Sequence, residues 1–170
     1  GIVHGVIDTN TKHFCNGKIS LGDRLYHCWK NNGHGSMNVT DAIKESCDVF
    51  FYEISKKIGI DKIAEVAEDF GLGKIYDVPL PNQKKGIIPS RDWKKKKYDE
   101  SWYPGETLIS AIGQGFVLTN PLQLAVMTSI IASNGKNVKQ KIIKHNNDIE
   151  FEKLEKYQNA IKIIKSAMFK

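Results

Sequence analysis

The chain has 170 residues, 41% hydrophobic and 26% charged, with a formal net charge of +6. A chain of this length normally forms one domain that buries roughly 70% of its unfolded surface, and the hydrophobic fraction with its helical periodicity argues against disorder. No apolar run approaches the roughly 20 residues that cross a bilayer. The chain opens Gly1-Ile2-Val3-His4, with neither an initiator Met nor a leader-like pattern, and stops at Lys170 within helical periodicity. A piece of a longer protein is expected from both ends.

Residues 1–37, rich in Gly, Asn, His and Cys, show no sustained period and predict loops with a short strand or two. Asn38 or Thr40 can cap a short helix from Asp41 to Glu45. Cys47 or Asp48 begins a second, carrying Val49, Phe50, Tyr52, Ile54 and Ile58 and stopping at Gly59. Asp61 caps a third, with Ile63, Val66, Ala67 and Phe70 on one face and Gly71 at its end. Residues 72–118 predict a long connection punctuated by Pro79, Pro81, Pro89 and Pro104 and interrupted by the run Arg91 to Tyr98. Asn120-Pro121 opens a mostly buried helix through Leu122, Leu124, Ala125, Met127, Ile130 and Ile131, ended by Asn134-Gly135. The tail predicts a strand-like Ile142-Ile143 and a final amphipathic helix over Tyr157 to Phe169. The fold class is mainly α with long irregular connections. A Cys/His-bearing loop region (1–37), a helical core (38–135) and a tail (136–170) make up one domain.

The basic residues are nearly all Lys, with Arg only at 24 and 91. Phosphate and base recognition favours the bidentate Arg fork, so no nucleic-acid partner is expected. The run Arg91-Asp92-Trp93-Lys94-Lys95-Lys96-Lys97-Tyr98 predicts a solvated helical face.

Three Cys cannot all pair within one chain. With His34 they form the pattern Cys15-x12-Cys28-x5-His34-x12-Cys47, three thiolates and one imidazole. That set makes a closed tetrahedral zinc shell of the structural kind. Gly33 and Gly35 flank His34 and would let backbone approach the ion. Without a paired C-x-x-C knuckle, three scattered Cys also fit as small buried hydrophobes. His13 and His27, beside Cys15 and Cys28, are read as solvated rather than as substitute ligands.

Penicillin-recognising serine acyl-transferases need S-x-x-K, S-x-N and K-[ST]-G. The one S-x-x-K here, Ser133-Asn134-Gly135-Lys136, sits where Asn-Gly ends a helix, whereas the motif must begin one. No K-[ST]-G occurs; Lys165-Ser166-Ala167 lacks the Gly. What remains is Ser46-Cys47-Asp48, at a break between two helices.

Its context carries a resemblance. Tyr26-His27-Cys28-Trp29-Lys30, Gly33-His34-Gly35, Asn38-Val39-Thr40 and Glu45 to Tyr52 resemble penicillin-binding protein 2, a family of class B transpeptidases of the rod-shape cell-wall machinery. Pro89-Ser90-Arg91-Asp92-Trp93, Trp102-Tyr103-Pro104-Gly105-Glu106, Ile112-Gly113-Gln114-Gly115 and Thr119 to Gln123 match as well. The likeness runs from about Val3 to Lys136.

The resemblance implies the helical part of a penicillin-binding-protein and serine β-lactamase-like domain, with the central sheet largely missing. It implies a D,D-transpeptidase whose serine attacks the D-Ala-D-Ala bond of a peptidoglycan stem peptide and passes the acyl group to a neighbouring amine. Ser46 takes the proton-relay role between the catalytic Lys and the departing amine. Asp48, which accepts hydrogen bonds but cannot donate them when ionised, steadies the Lys ammonium. Some members of this branch look zinc-bearing through an Asp-Asp-His-Cys set, so Cys15 and Cys28 replace two carboxylates while His34 and Cys47 match directly. Soft sulfurs tighten zinc. The partners implied are stem peptides, β-lactams and a membrane glycosyltransferase, at the periplasmic face of the bacterial inner membrane.

In the family the nucleophile's S-x-x-K lies upstream of the segment matching Gly1, and K-[ST]-G lies downstream of the one matching Lys170. This chain alone is therefore expected to be inactive, to resist acylation by penicillin and to expose apolar surface that dimerisation could cover. Two alternatives follow from the residues themselves. One is a free-standing Cys3His zinc module with a Lys-rich face for nucleic acid or an acidic partner. The other is a zinc hydrolase, disfavoured because four protein ligands leave no site for water.

Overall fold

The computed structural model describes residues 1–142 and 151–169. Among them are seven α-helices and three two-stranded antiparallel sheets, so the chain is mainly helical, with no extended central sheet. Strand β1 (His13–Cys15) pairs with β4 (Gly35–Met37), Cys15 standing opposite Gly35. Between them, β2 (Lys18–Leu21) and β3 (Arg24–His27) form a hairpin. The two-residue turn Gly22-Asp23 closes it, with Gly22 at φ 58, the conformation that hairpin turns demand. The first 37 residues thus hold four strands, where the sequence predicted one or two. Strands this short carry too little periodicity to be read from composition.

Helix α1 (Val39–Lys44) starts where Asn38 accepts the Asp41 N–H at 3.0 Å, and α2 (Asp48–Ile58) runs from Cys47 to Gly59. Helix α3 (Ile60–Asp69) is capped two residues before the expected Asp61. Gly59 is the N-cap, and Asp61 instead accepts the Arg91 N–H at 3.0 Å, tying α3 to the next helix. Helix α2 is the centre of the molecule. Val49 and Phe50 are wholly buried against β1 and against Leu108 of α5 (Pro104–Ala111). A second core joins Phe70, Val126 and Ile130 to Tyr157 and Ile161, linking α6 (Pro121–Ala132) to α7 (Gln158–Phe169).

Residues 72–118 are not one long connection. They contain α4 (Arg91–Tyr98), capped by Ser90 on the Trp93 N–H at 3.1 Å, and the unforeseen α5. Pro104 sits at the first position of α5, and Glu106 reaches back to accept the Tyr103 N–H at 2.8 Å. The other Glu106 oxygen takes Lys94 Nζ at 2.5 Å, Glu100 lies 3.4 Å away, and the ammonium stands over the Tyr103 ring. With its side chain 3% exposed, Lys94 corrects the reading of this run as wholly solvated. Burial alone would lower its pKa, but the two carboxylates hold it above the ordinary value. Lys95 and Lys96 do face solvent, in pairs with Asp99 and Asp92.

Gln123 shows how the irregular stretches are held. Fully buried, its amide oxygen takes the Gly73 N–H and the Thr119 hydroxyl, while its nitrogen donates to the Lys74 and Lys85 carbonyls. Every bonding position of the amide is used, so two connections are pinned to α6. The rest of α6 is one-sided rather than mostly buried: Val126 and Ile130 face inward, Leu124 and Ala125 outward. Leu118 is exposed as well. Beyond α6, β5 (Lys136–Val138) pairs with β6 (Phe151–Lys153). The expected strand at Ile142-Ile143 is not formed at Ile142, which lies in a bend; Ile143 lies outside the described residues. No helix among the described residues is long and apolar enough to cross a membrane.

Candidate metal centre and serine turn

Cys15 ends β1, Cys28 follows β3, His34 precedes β4, and Cys47 precedes α2. Their ligand atoms lie within 4.8 Å of one another, a group that could hold a metal ion. His34 Nδ1 stands 3.6 Å from Cys15 Sγ and 3.5 Å from Cys28 Sγ. All three sulfurs are buried, and all three Cys are free thiols. Burial, opposed by the Phe50 backbone N–H and reinforced by Cys15, pushes the Cys47 thiol up to about 12. Sulfurs this close disfavour one another's ionised forms, and a cation among them reverses that.

The backbone is built for this approach. A Cβ on Gly33 would overlap the Cys15 carbonyl oxygen, and Gly33 has φ 74, so only glycine lets the 30–34 turn close on β1. Gly35 has open space around it and needs glycine only for its φ of 76. His27 is exposed and outside the cluster. His13 is not the solvated ring expected: its Nε2 is buried, and the ring packs edge-on to Phe50 at 5.6 Å.

Ser46 lies in the turn from α1 to α2. Its N–H donates to the Ile43 carbonyl at 3.3 Å, and the Cys47 N–H donates to Ala42 at 2.9 Å. Those two bonds make a Schellman end to α1, with the buried pair Ala42 and Cys47 as its apolar contact. The left-handed position in that motif belongs to glycine, yet here it holds exposed Ser46 at φ 50. A strained non-glycine at a turn points to a use for its side chain. Asp48, at the first position of α2, accepts the Trp29 backbone N–H at 2.9 Å, so the residue after Cys28 is tied to the residue after Cys47. Beneath it, burial and then the Asp48 carboxylate push the Tyr52 phenol up to about 12, and its hydroxyl donates to the His27 carbonyl.

The S-x-x-K at Ser133 is a decoy in space too. Ser133 caps the C-terminus of α6, its hydroxyl bonded to the Ile130 and Lys136 carbonyls, with Asn134 and Gly135 at positive φ. Lys165 and Ser166 lie in a helix, not a strand.

The sequence matches a peptidoglycan D,D-transpeptidase, MrdA of Escherichia coli, at 37% identity over 133 residues, 77% of this chain and 21% of that protein. The chain thus spans about a fifth of the length of that relative. In structure it resembles penicillin-binding protein 2 of Helicobacter pylori, with a TM-score of 0.89 and 32% identity. The alignment covers 99% of this chain and 33% of that one. The same protein solved in complex with MreC gives a TM-score of 0.88, again at 32% identity over 99% of this chain and 33% of that one. Residues 1–170 match the penicillin binding protein transpeptidase domain, and the chain belongs to that family.

Proposed function

We propose that this chain is the S-x-D-bearing part of a peptidoglycan D,D-transpeptidase of the penicillin-binding protein 2 type. Its substrates are peptidoglycan stem peptides, its inhibitors β-lactams, and its site of action the periplasmic face of the inner membrane. A membrane glycosyltransferase and MreC, with which the Helicobacter protein was solved, are its proposed partners. The observation that carries this reading is the serine turn: Ser46 is exposed in a left-handed conformation one residue from a buried metal-type cluster. Family membership sets aside the free-standing module.

Ser46 Oγ passes a proton between a lysine ammonium and the leaving amine, because it is exposed and held clear of α1 and α2. Asp48 stands at the first position of α2, where a helix N-terminus suits a carboxylate, and it steadies that lysine. The metal is zinc. Tetrahedral Zn²⁺ with bonds of about 2.3 Å to sulfur and about 2.0 Å to nitrogen sets S···N edges of about 3.5 Å, matching both His34 spacings. Cys15, Cys28, His34 and Cys47 would fill all four positions and leave none for water, so zinc would supply a cross-link among β1, the 28–34 loop and α2 rather than hydrolysis.

The chain holds neither a helix-initiating S-x-x-K nor K-[ST]-G. Alone it forms no acyl-enzyme, and a fluorescent penicillin leaves it unlabelled on a denaturing gel. In a complete transpeptidase carrying this segment, Ser46→Ala lowers the acylation rate by roughly a hundredfold. An unchanged rate there, or covalent labelling of the chain alone, would contradict the proposal.

A further inference from the structure

Trp29 is a large aromatic residue that is 62% exposed, so burial of its ring does not account for its place. Its polar atoms do. The indole N–H donates to two carbonyls at once, Glu45 at 3.1 Å and Ser46 at 3.0 Å. Those carbonyls flank the left-handed residue and lie beyond the two bonds that close α1. The backbone N–H of Trp29 holds Asp48 Oδ2, and the ring stands edge-on to His34 with centroids 5.2 Å apart. One residue therefore touches the backbone on both sides of Ser46, the carboxylate of Asp48 and the imidazole of the cluster.

We infer that Trp29 is a positioning residue for transpeptidation, fixing the Ser46 turn and the Asp48 carboxylate in one orientation and coupling both to the metal cluster. This rests on the function proposed above for Ser46 and Asp48. The indole N–H is the part that cannot be replaced. Without it the Glu45 and Ser46 carbonyls turn to water, and the φ of 50 at Ser46 loses the one side-chain donor that holds it among the described residues. The cluster stays intact, since Cys28 and His34 are placed by β3, β4 and the Gly33 approach rather than by Trp29.

The test compares Trp29→Phe and Ser46→Ala in a complete transpeptidase carrying this segment, with a fluorescent penicillin as probe. Phe keeps an aromatic ring beside His34 and lacks the indole donor. The expected result is an acylation rate constant reduced roughly tenfold or more, with penicillin Kd, zinc content and Tm unchanged. Acylation by Trp29→Phe within about twofold of the parent, while Ser46→Ala is slow, overturns the inference and leaves the functional reading standing. If Ser46→Ala is equally fast, the functional reading itself falls. Loss of zinc and Tm together with the rate shows a merely structural residue and also overturns the inference. A second measurement needs no variant: in the zinc-loaded chain, hydrogen exchange of the Trp29 indole N–H is slowed about tenfold or more relative to free indole, despite the exposed ring. Exchange at the free rate overturns the inference.

Discussion

Replacing Ser46 by glycine makes the protein more stable. At φ 50 an L-residue pays about 1–2 kcal/mol relative to its right-handed conformation, and glycine pays almost nothing. Against this, glycine gives the unfolded chain more freedom, costing about 0.5–1 kcal/mol. The serine hydroxyl makes no hydrogen bond among the described residues, so its removal orphans nothing. The middle of these ranges leaves a net gain of about 0.75 kcal/mol, or a Tm rise of about 1.5–3 °C for a chain of this size. Ser46→Ala keeps the left-handed Cβ and stays within about 0.5 kcal/mol of the parent. Thermal unfolding of the three proteins at saturating zinc, followed by circular dichroism, separates the two substitutions. A glycine variant no more stable than the alanine variant would refute the claim that the turn stores strain. A glycine variant that is both more stable and fully active in a complete transpeptidase would refute the claim that the strain serves the serine.

Three further outcomes are expected. A Cβ on Gly105 would overlap Tyr26 Oη and sit 3.3 Å from Cζ, so Gly105→Ala costs about 1–3 kcal/mol in urea unfolding, and adding Tyr26→Phe restores at least half of it. Gln123→Met fits the volume but strands the Lys74 and Lys85 carbonyls and the Gly73 N–H, costing about 2–4 kcal/mol in the same assay. Burial would raise the Asp69 carboxyl, but hydrogen bonds from Lys156 and the buried Tyr157 hydroxyl hold it below the ordinary 3.8. The unfolded state then binds the proton more readily, so this stabilisation is full above pH about 4 and is lost as pH falls through the depressed value. Asp69→Asn removes that acid limb from a plot of stability against pH.

The helices that could be read from sequence were those whose punctuation is local. Asn38 and Asn120 cap by their own side chains, and Gly59 and Gly71 end helices at positive φ. Helix α5 was hidden because Pro104-Gly105 reads as a turn. The signal that could have revealed it was Pro at the first position, Glu106 at the third, and the apolar pair Leu108 and Ile109. Missing α5 also hid the burial of Lys94, since its partner Glu106 projects from that helix across a dozen residues of chain. The outward face of α6 escaped for a related reason: apolar residues occur on every side of the helix, and which side is buried depends on what α7 covers. At the site, ligand types and spacing marked Cys15, Cys28, His34 and Cys47, whose gathering is a property of the strands between them. Trp29 carried no such mark. Its importance comes from one indole N–H reaching carbonyls 16 and 17 residues away.

In the proposed function, a metal held by Cys15, Cys28, His34 and Cys47 clasps the serine turn. Metal analysis of the purified, monodisperse chain tests this most directly. About one zinc per chain is predicted, and it is lost together with cooperative unfolding when Cys15 or Cys28 is changed to Ser. A chain that folds cooperatively without metal, and whose Cys→Ser variants unfold at the same temperature, would contradict it.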